Sequence, residues 1–195
     1  MSIIQSWRLV LRPSPTAGFQ RPGIMQMLLA YVVPLSLITP VMLSIVVRQH
    51  EKLFIDILPG DRLYILGLIL FAAQVASVPI MAAIVKHTAS MVDIRPSFTD
   101  AFLIMAVSVT PLYVVSVFYL VPSLGFNIFM HGIAALASSA LVYLGIKHVF
   151  DLQRRGARIM LSMVVIAAAS VGFGILLVGA LLIWEEIQKV QFAVS

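Results

Sequence analysis

Gln74 and His131 are the residues of this chain best placed to do chemistry inside apolar surroundings. Each falls within a long apolar run, where a polar side chain is a functional hypothesis by default. Gln74 can offer an amide to a polar cleft, and His131, four residues after Asn127, can move a proton or accept a hydrogen bond. Ser108 and Thr110 stand just before Pro111, and Ser138, Ser139 and Tyr143 follow further along. The bland reading of all of these is hydrogen bonding between helices, at roughly 0.6 kcal/mol per bond. No Asp, Glu, Lys or Arg lies at the centre of an apolar run, which argues against a proton-coupled pump or a charged-ring channel. In the connectors, His87, Asp93 and Asp100 form one group, and His148 and Asp151 another. His148 and Asp151 are three apart and can share a helix face, but no HExxH or CxxC spacing supports a metal site. Ordinary interfacial charge accounts for them. Cysteine is absent, which removes thiolate ligands and thiol nucleophiles. GxSxG and paired intramembrane carboxylates are missing too, so a membrane-embedded hydrolase has no support. The sequence points to no catalytic residue, no metal ligand and no cofactor.

The elements that must position these residues are five apolar stretches at about 23–47, 63–85, 101–121, 127–146 and 159–184. A hydrocarbon core of roughly 30 Å takes about 20 helical residues. Hydrophobic residues make up 61% of the chain and charged residues 11%, against about 25% charged in soluble domains. Backbone groups in lipid must be satisfied within the protein, and the runs lack the alternation of barrel strands, so the spans are helices. The predicted fold is all-α: a polytopic transmembrane bundle of five helices with a short N-terminal interfacial amphipathic helix. Residues 1–22 form the interfacial segment, 23–187 the membrane domain and 188–195 a tail. No cleavable signal peptide is expected, because no basic segment precedes an apolar run at the start.

Orientation follows from the basic residues. With a cytoplasmic N-terminus, Arg8, Arg12, Arg21, Lys86, Arg95, Lys147, Arg154, Arg155 and Arg158 fall inside, and Arg48, Lys52, Arg62 and Lys189 outside. That split places the C-terminus on the far side. It also ties the pI near 9.9 to a membrane surface rather than to nucleic acid. Ahead of the first span, Ile3, Ile4, Trp7, Val10 and Leu11 recur at helical spacing opposite Gln5, Arg8 and Arg12. Such a helix lies in the interface plane, and Pro13 and Pro15 end it. Leu53, Phe54, Ile57 and Leu58 repeat the theme in the second connector, as a short surface helix or a plain linker. Ala135 and Ser139, Ala168 and Gly172, and Ser170 and Gly174 repeat small-xxx-small spacing, with Gly179 beyond. They predict close packing of the last two spans against neighbours or a second copy. Pro34, Pro40, Pro79 and Pro111 predict kinks in the first three spans.

Within the third span the chain begins to resemble a known family. Arg95-Pro96-Ser97-Phe98, then Ala101-Phe102, then Ser108-Val109-Thr110-Pro111-Leu112, is similar to the entry into the third span of bacterial Yip-type membrane proteins. Arg12-Pro13-Ser14-Pro15 with Phe19 resembles that family's entry segment. The resemblance implies a five-span bundle with a cytoplasmic N-terminus, in a short form of bacterial type, hence an inner membrane. Eukaryotic relatives act in vesicle traffic and contact small prenylated GTPases, largely through a longer N-terminal region. The function expected from residues and resemblance together is non-enzymatic organisation of membrane lipids or protein partners, with a membrane protein or a second copy as partner. The alternative is a small transporter or lipid-translocating protein built on Gln74 and His131.

Overall fold

The computed structural model describes Val10 and residues 22–49, 60–91, 94–152 and 154–172. Among these residues the fold is helical throughout, and five helices are long and apolar enough to cross a membrane. We label them α1 (Ile24–Gln49), α2 (Gly60–Ser90), α3 (Phe98–Leu120), α4 (Leu124–Val149) and α5 (Arg155–Gly172). Helices α2, α3 and α4 overrun the apolar runs by several residues at their ends, because Lys86, His87, Lys147 and His148 continue the backbone ladder past the apolar stretch. At 1.5 Å per residue, the 31 residues of α2 reach about 46 Å, well beyond a bilayer core.

Helix α3 is the centre of the bundle. Of the residues in its most apolar stretch 61% are buried, against 22–33% in the other four spans. Every residue from Asp100 to Ser108 is buried, packed between α2 and α4, with α1 against its second half. The start of α3 explains its sharp entry. Pro96 holds the preceding backbone extended, and Ser97 caps the helix by accepting from the Asp100 amide at 3.1 Å. Ser97 in turn donates its hydroxyl proton to the Asp100 carboxylate at 2.7 Å, which holds the cap in place at the helix end. Phe98 then packs its ring 6.3 Å from that of Phe102. Arg95 remains exposed.

The prolines act unequally. In α1, a π-helical turn at Leu28–Val32 precedes Pro34, and the ladder slackens where the proline removes a donor and crowds the carbonyl four residues back. The helix is interrupted again at Leu37, ahead of Pro40. Helix α3 breaks at Val109, two residues before Pro111, and restarts on the Val109 carbonyl. Its end tightens into a 3₁₀ run at Val115–Leu120. Pro79, by contrast, sits inside an uninterrupted α2.

The expected close packing at Ala135 and Ser139 does not occur within the fold. Ala135 is exposed, and added Cβ atoms at Gly132 and Gly172 would meet nothing within 4 Å. Close approach lies instead at Gly145, where a Cβ would come 2.8 Å from Ile104 Cγ2. Ala168 does pack against the core, while Gly174 and Gly179 lie outside the described residues.

Candidate functional site

Three hydroxyls on α3, at Thr110, Tyr113 and Ser116, recur every third residue and fasten this helix to its neighbours. Thr110 and Tyr113 lie in the α-helical turn after the Val109 break and Ser116 in the 3₁₀ run that follows, and residues three apart are neighbours on a helix face. Tyr31 of α1 lies 2.7 Å from Thr110 Oγ1. Thr110 also reaches the Ala106 carbonyl at 3.3 Å. A carbonyl only accepts, so with Thr110 donating there, the Tyr31 hydroxyl donates to Thr110. Two turns along α1, Thr39 meets Ser116 at 2.8 Å. Between these contacts Tyr113 donates to the main-chain carbonyl of Gln74 on α2 at 2.7 Å. Ser77 donates to the same carbonyl at 2.7 Å and lies 3.2 Å from the Tyr113 hydroxyl. This seam sits one turn from Pro79, which leaves the Val75 carbonyl without its usual helical donor.

Gln74 therefore joins the seam through its backbone. Its side-chain Oε1 is buried with no hydrogen-bond partner among the described residues, and so are Ser108 Oγ and Ser138 Oγ. Ser139 bonds back to the Ala135 carbonyl at 2.8 Å on its own helix. Pro111 opens the second part of α3 and sets Thr110 and Tyr113 on their face.

His131 belongs to a separate cluster at the end of the bundle. Its Nδ1 lies 2.8 Å from the Asn127 carbonyl, and Nε2 3.2 Å from the Tyr119 hydroxyl. Because a carbonyl only accepts, Nδ1 donates to Asn127, and Nε2 shares a hydrogen bond with the Tyr119 hydroxyl. The two rings stack 5.5 Å apart and within 9° of parallel. Asn127 also ties the α3–α4 turn by donating to the Val121 and Ser123 carbonyls, both at 3.0 Å. Tyr113 and Tyr119 are six residues apart on α3, about 9–12 Å of rise. The structure thus does not bring Gln74 and His131 into one cleft.

The connector groups also separate. His87 is exposed, Asp100 serves the α3 cap, and Asp93 lies outside the described residues. His148 turns to the N-terminal segment, where its Nδ1 donates to the Val10 carbonyl at 2.7 Å. Val10 is helical and fully buried in the core cluster. At this one described position of the segment the side chain faces protein. Trp7, Arg8 and Arg12 lie outside the described residues, as does the second-connector stripe. Among the described residues no group of His, Cys, Asp or Glu is arranged to hold a metal ion.

Sequence reasoning missed Tyr31, Thr39, Ser77, Tyr113, Ser116 and Tyr119. The signal was present: hydroxyls at 110, 113 and 116 on one face, and at 31 and 39 two turns apart. Neither the curated proteins nor the solved structures compared give a match to this chain. Residues 7–176, in contrast, match the Yip1 domain. With that match spanning the seam, the capped entry to α3 and five apolar helices, the chain belongs to the Yip1 family of multi-pass membrane proteins.

Proposed function

We propose that this protein is a non-enzymatic organiser of membrane lipids or membrane-protein partners. The observation that carries the reading is the seam itself: its cross-helix hydroxyls bond to groups on other helices of the same chain. Polar groups spent this way hold a bundle together and do not line a path. The Yip1 family is not known as a family of enzymes. The resemblance implies an inner membrane of bacterial type, the charge split favours a cytoplasmic N-terminus, and reporter fusions after Arg95 and Arg155 should report that side.

A second reading, a small transporter or lipid-translocating protein, rests on one specific observation. Among the described residues Gln74 Oε1 and Ser108 Oγ are buried without hydrogen-bond partners, Ser108 beside the α3 break, and interrupted helices form binding sites in transporters. Purification in mild detergent tests the primary reading. Gln74→Leu should keep the same co-purifying lipids and proteins as the parent; a changed set would place Gln74 in a ligand site.

A further inference from the structure

We propose that the elbow between α4 and α5 binds the phosphate of an anionic phospholipid headgroup. Lys147, Arg154, Arg155 and Arg158 fall within twelve residues, and Asp151 is the one carboxylate among them. The stretch therefore keeps an excess of three positive charges even with Asp151 set against one of them. A single contact fixes the geometry: Arg158 Cζ lies 4.7 Å from the centroid of the Tyr143 ring. Lys147 is one turn beyond Tyr143 on α4, and Arg154 one turn before Arg158. Because the two helices run in opposite directions, both turns lead from the stacked pair toward the elbow. All four cations thus belong to the elbow end of the two helices.

The start of α5 is built against the ordinary rule for helices. Arg154 supplies the carbonyl that takes the first helical bond, from the Arg158 amide at 3.0 Å, and its side chain cannot accept one. The first turn, Arg155-Gly156-Ala157-Arg158, offers no acceptor side chain either. Arg154 and Arg155 therefore stand with Arg158 at the positive end of the helix dipole, where anions are favoured and cations are not. Helix α3 instead has Ser97 and Asp100 at its start, and α4 has Ser123. Independently, Arg158 Nε is buried with no hydrogen-bond partner among the described residues. A phosphate at the elbow supplies what each of these groups lacks, as basic pockets between spans do for lipid headgroups. Exposed Met160 and Met163 continue along α5 from the cations, giving an acyl chain an apolar bed that free phosphate would not use.

The assignment rests on the organiser reading and narrows it to a class of lipid. Full-length protein in detergent is titrated with phosphatidylglycerol, with phosphatidylcholine and with inorganic phosphate. Bound lipid is counted by native mass spectrometry, and the melting temperature is followed in parallel. Phosphatidylglycerol should be retained at least tenfold over phosphatidylcholine and should raise the melting temperature. Arg155→Gln should cut that preference about five-fold, and Arg154→Gln with Arg155→Gln should bring it within two-fold. Both variants should melt no lower than the parent without anionic lipid, because like charges leave the positive helix end. Arg48→Gln, at the other end of the bundle, should change nothing. Equal retention of the two lipids, or a preference that survives in the double variant, overturns the site. Stabilisation by inorganic phosphate equal to that by phosphatidylglycerol overturns the lipid assignment in favour of a soluble anion. Solute flux through the protein would instead overturn the organiser reading while leaving the lipid preference intact.

Discussion

Gly145→Ala should destabilise the bundle, although Gly→Ala within a helix ordinarily stabilises it. The new methyl would come 2.8 Å from Ile104 Cγ2, 3.1 Å from Cγ1 and 3.4 Å from Cβ. Rotating the Ile104 side chain cannot clear all three, since its Cβ is itself at the limit. Ile104 is fully buried in α3, so relief requires α3 and α4 to part by a few tenths of an ångström along a close-packed contact. Overpacking of this kind costs about 1–3 kcal/mol, and the backbone gain from replacing glycine returns about 0.5–1 kcal/mol. A net loss of roughly 0–2.5 kcal/mol results. Gly132→Ala on the same helix is the internal control, because nothing lies within 4 Å of its added methyl, and it should gain up to about 1 kcal/mol. Thermal unfolding in detergent, read side by side, should place Gly145→Ala below the parent and Gly132→Ala at or above it. Adding Ile104→Ala should recover part of the Gly145→Ala loss, giving a measurable coupling. Equal melting of the two glycine variants would refute the close approach of α3 and α4 at this point.

Three other perturbations follow from the same geometry. Tyr113→Phe keeps the ring and removes the donor to the Gln74 carbonyl, so it should lower stability by about 0.6–1.7 kcal/mol, and pairing it with Ser77→Ala should be non-additive because the two hydroxyls share that acceptor. Ser97→Ala removes the cap of the central helix and should cost about 1 kcal/mol, while the same change at Ser139, which only bonds back to its own helix, should be near neutral in unfolding experiments. Val10→Ala should cost about 2 kcal/mol if its side chain is held in the core, and little loss would mean that the segment does not dock on the bundle.

The five spans were legible because composition and length decide them: a run of twenty apolar residues has few other fates. Their ends were less so, since helices such as α2 carry on through Lys86 and His87 once backbone hydrogen bonding has begun. Small-residue spacing at Ala135 and Ser139 is not used within the chain, because a stripe that permits close approach does not say which helix makes it. Gly145, the position that uses it, belongs to no small-xxx-small pair noted in the sequence. In the seam, a search for isolated polar residues found Gln74, Ser108 and Thr110 but passed over Tyr113 and Ser116. Tyrosine and serine are common enough in apolar runs that only their three-residue period, read together with Tyr31 and Thr39, marks them as partners. That Gln74 and His131 sit at different levels depends on which residues of α3 they meet, Tyr113 and Tyr119, and no feature of a single sequence encodes that pairing. At Val10, an apolar side chain is equally served by lipid or by protein, and the sequence alone does not choose between them.

Reconstitution in liposomes tests the central claim, that polar residues within these spans fasten the bundle and do not conduct. Lipid scrambling and small-solute leak are measured for the parent protein and for Gln74→Leu, His131→Leu and Tyr113→Phe, with protein-free vesicles as baseline. The account predicts that the parent protein and all three variants remain at that baseline, the variants differing from the parent in melting temperature alone. Flux above baseline in the parent that vanishes in Gln74→Leu or Tyr113→Phe, with the variant still folded, would contradict it and make the seam a pathway.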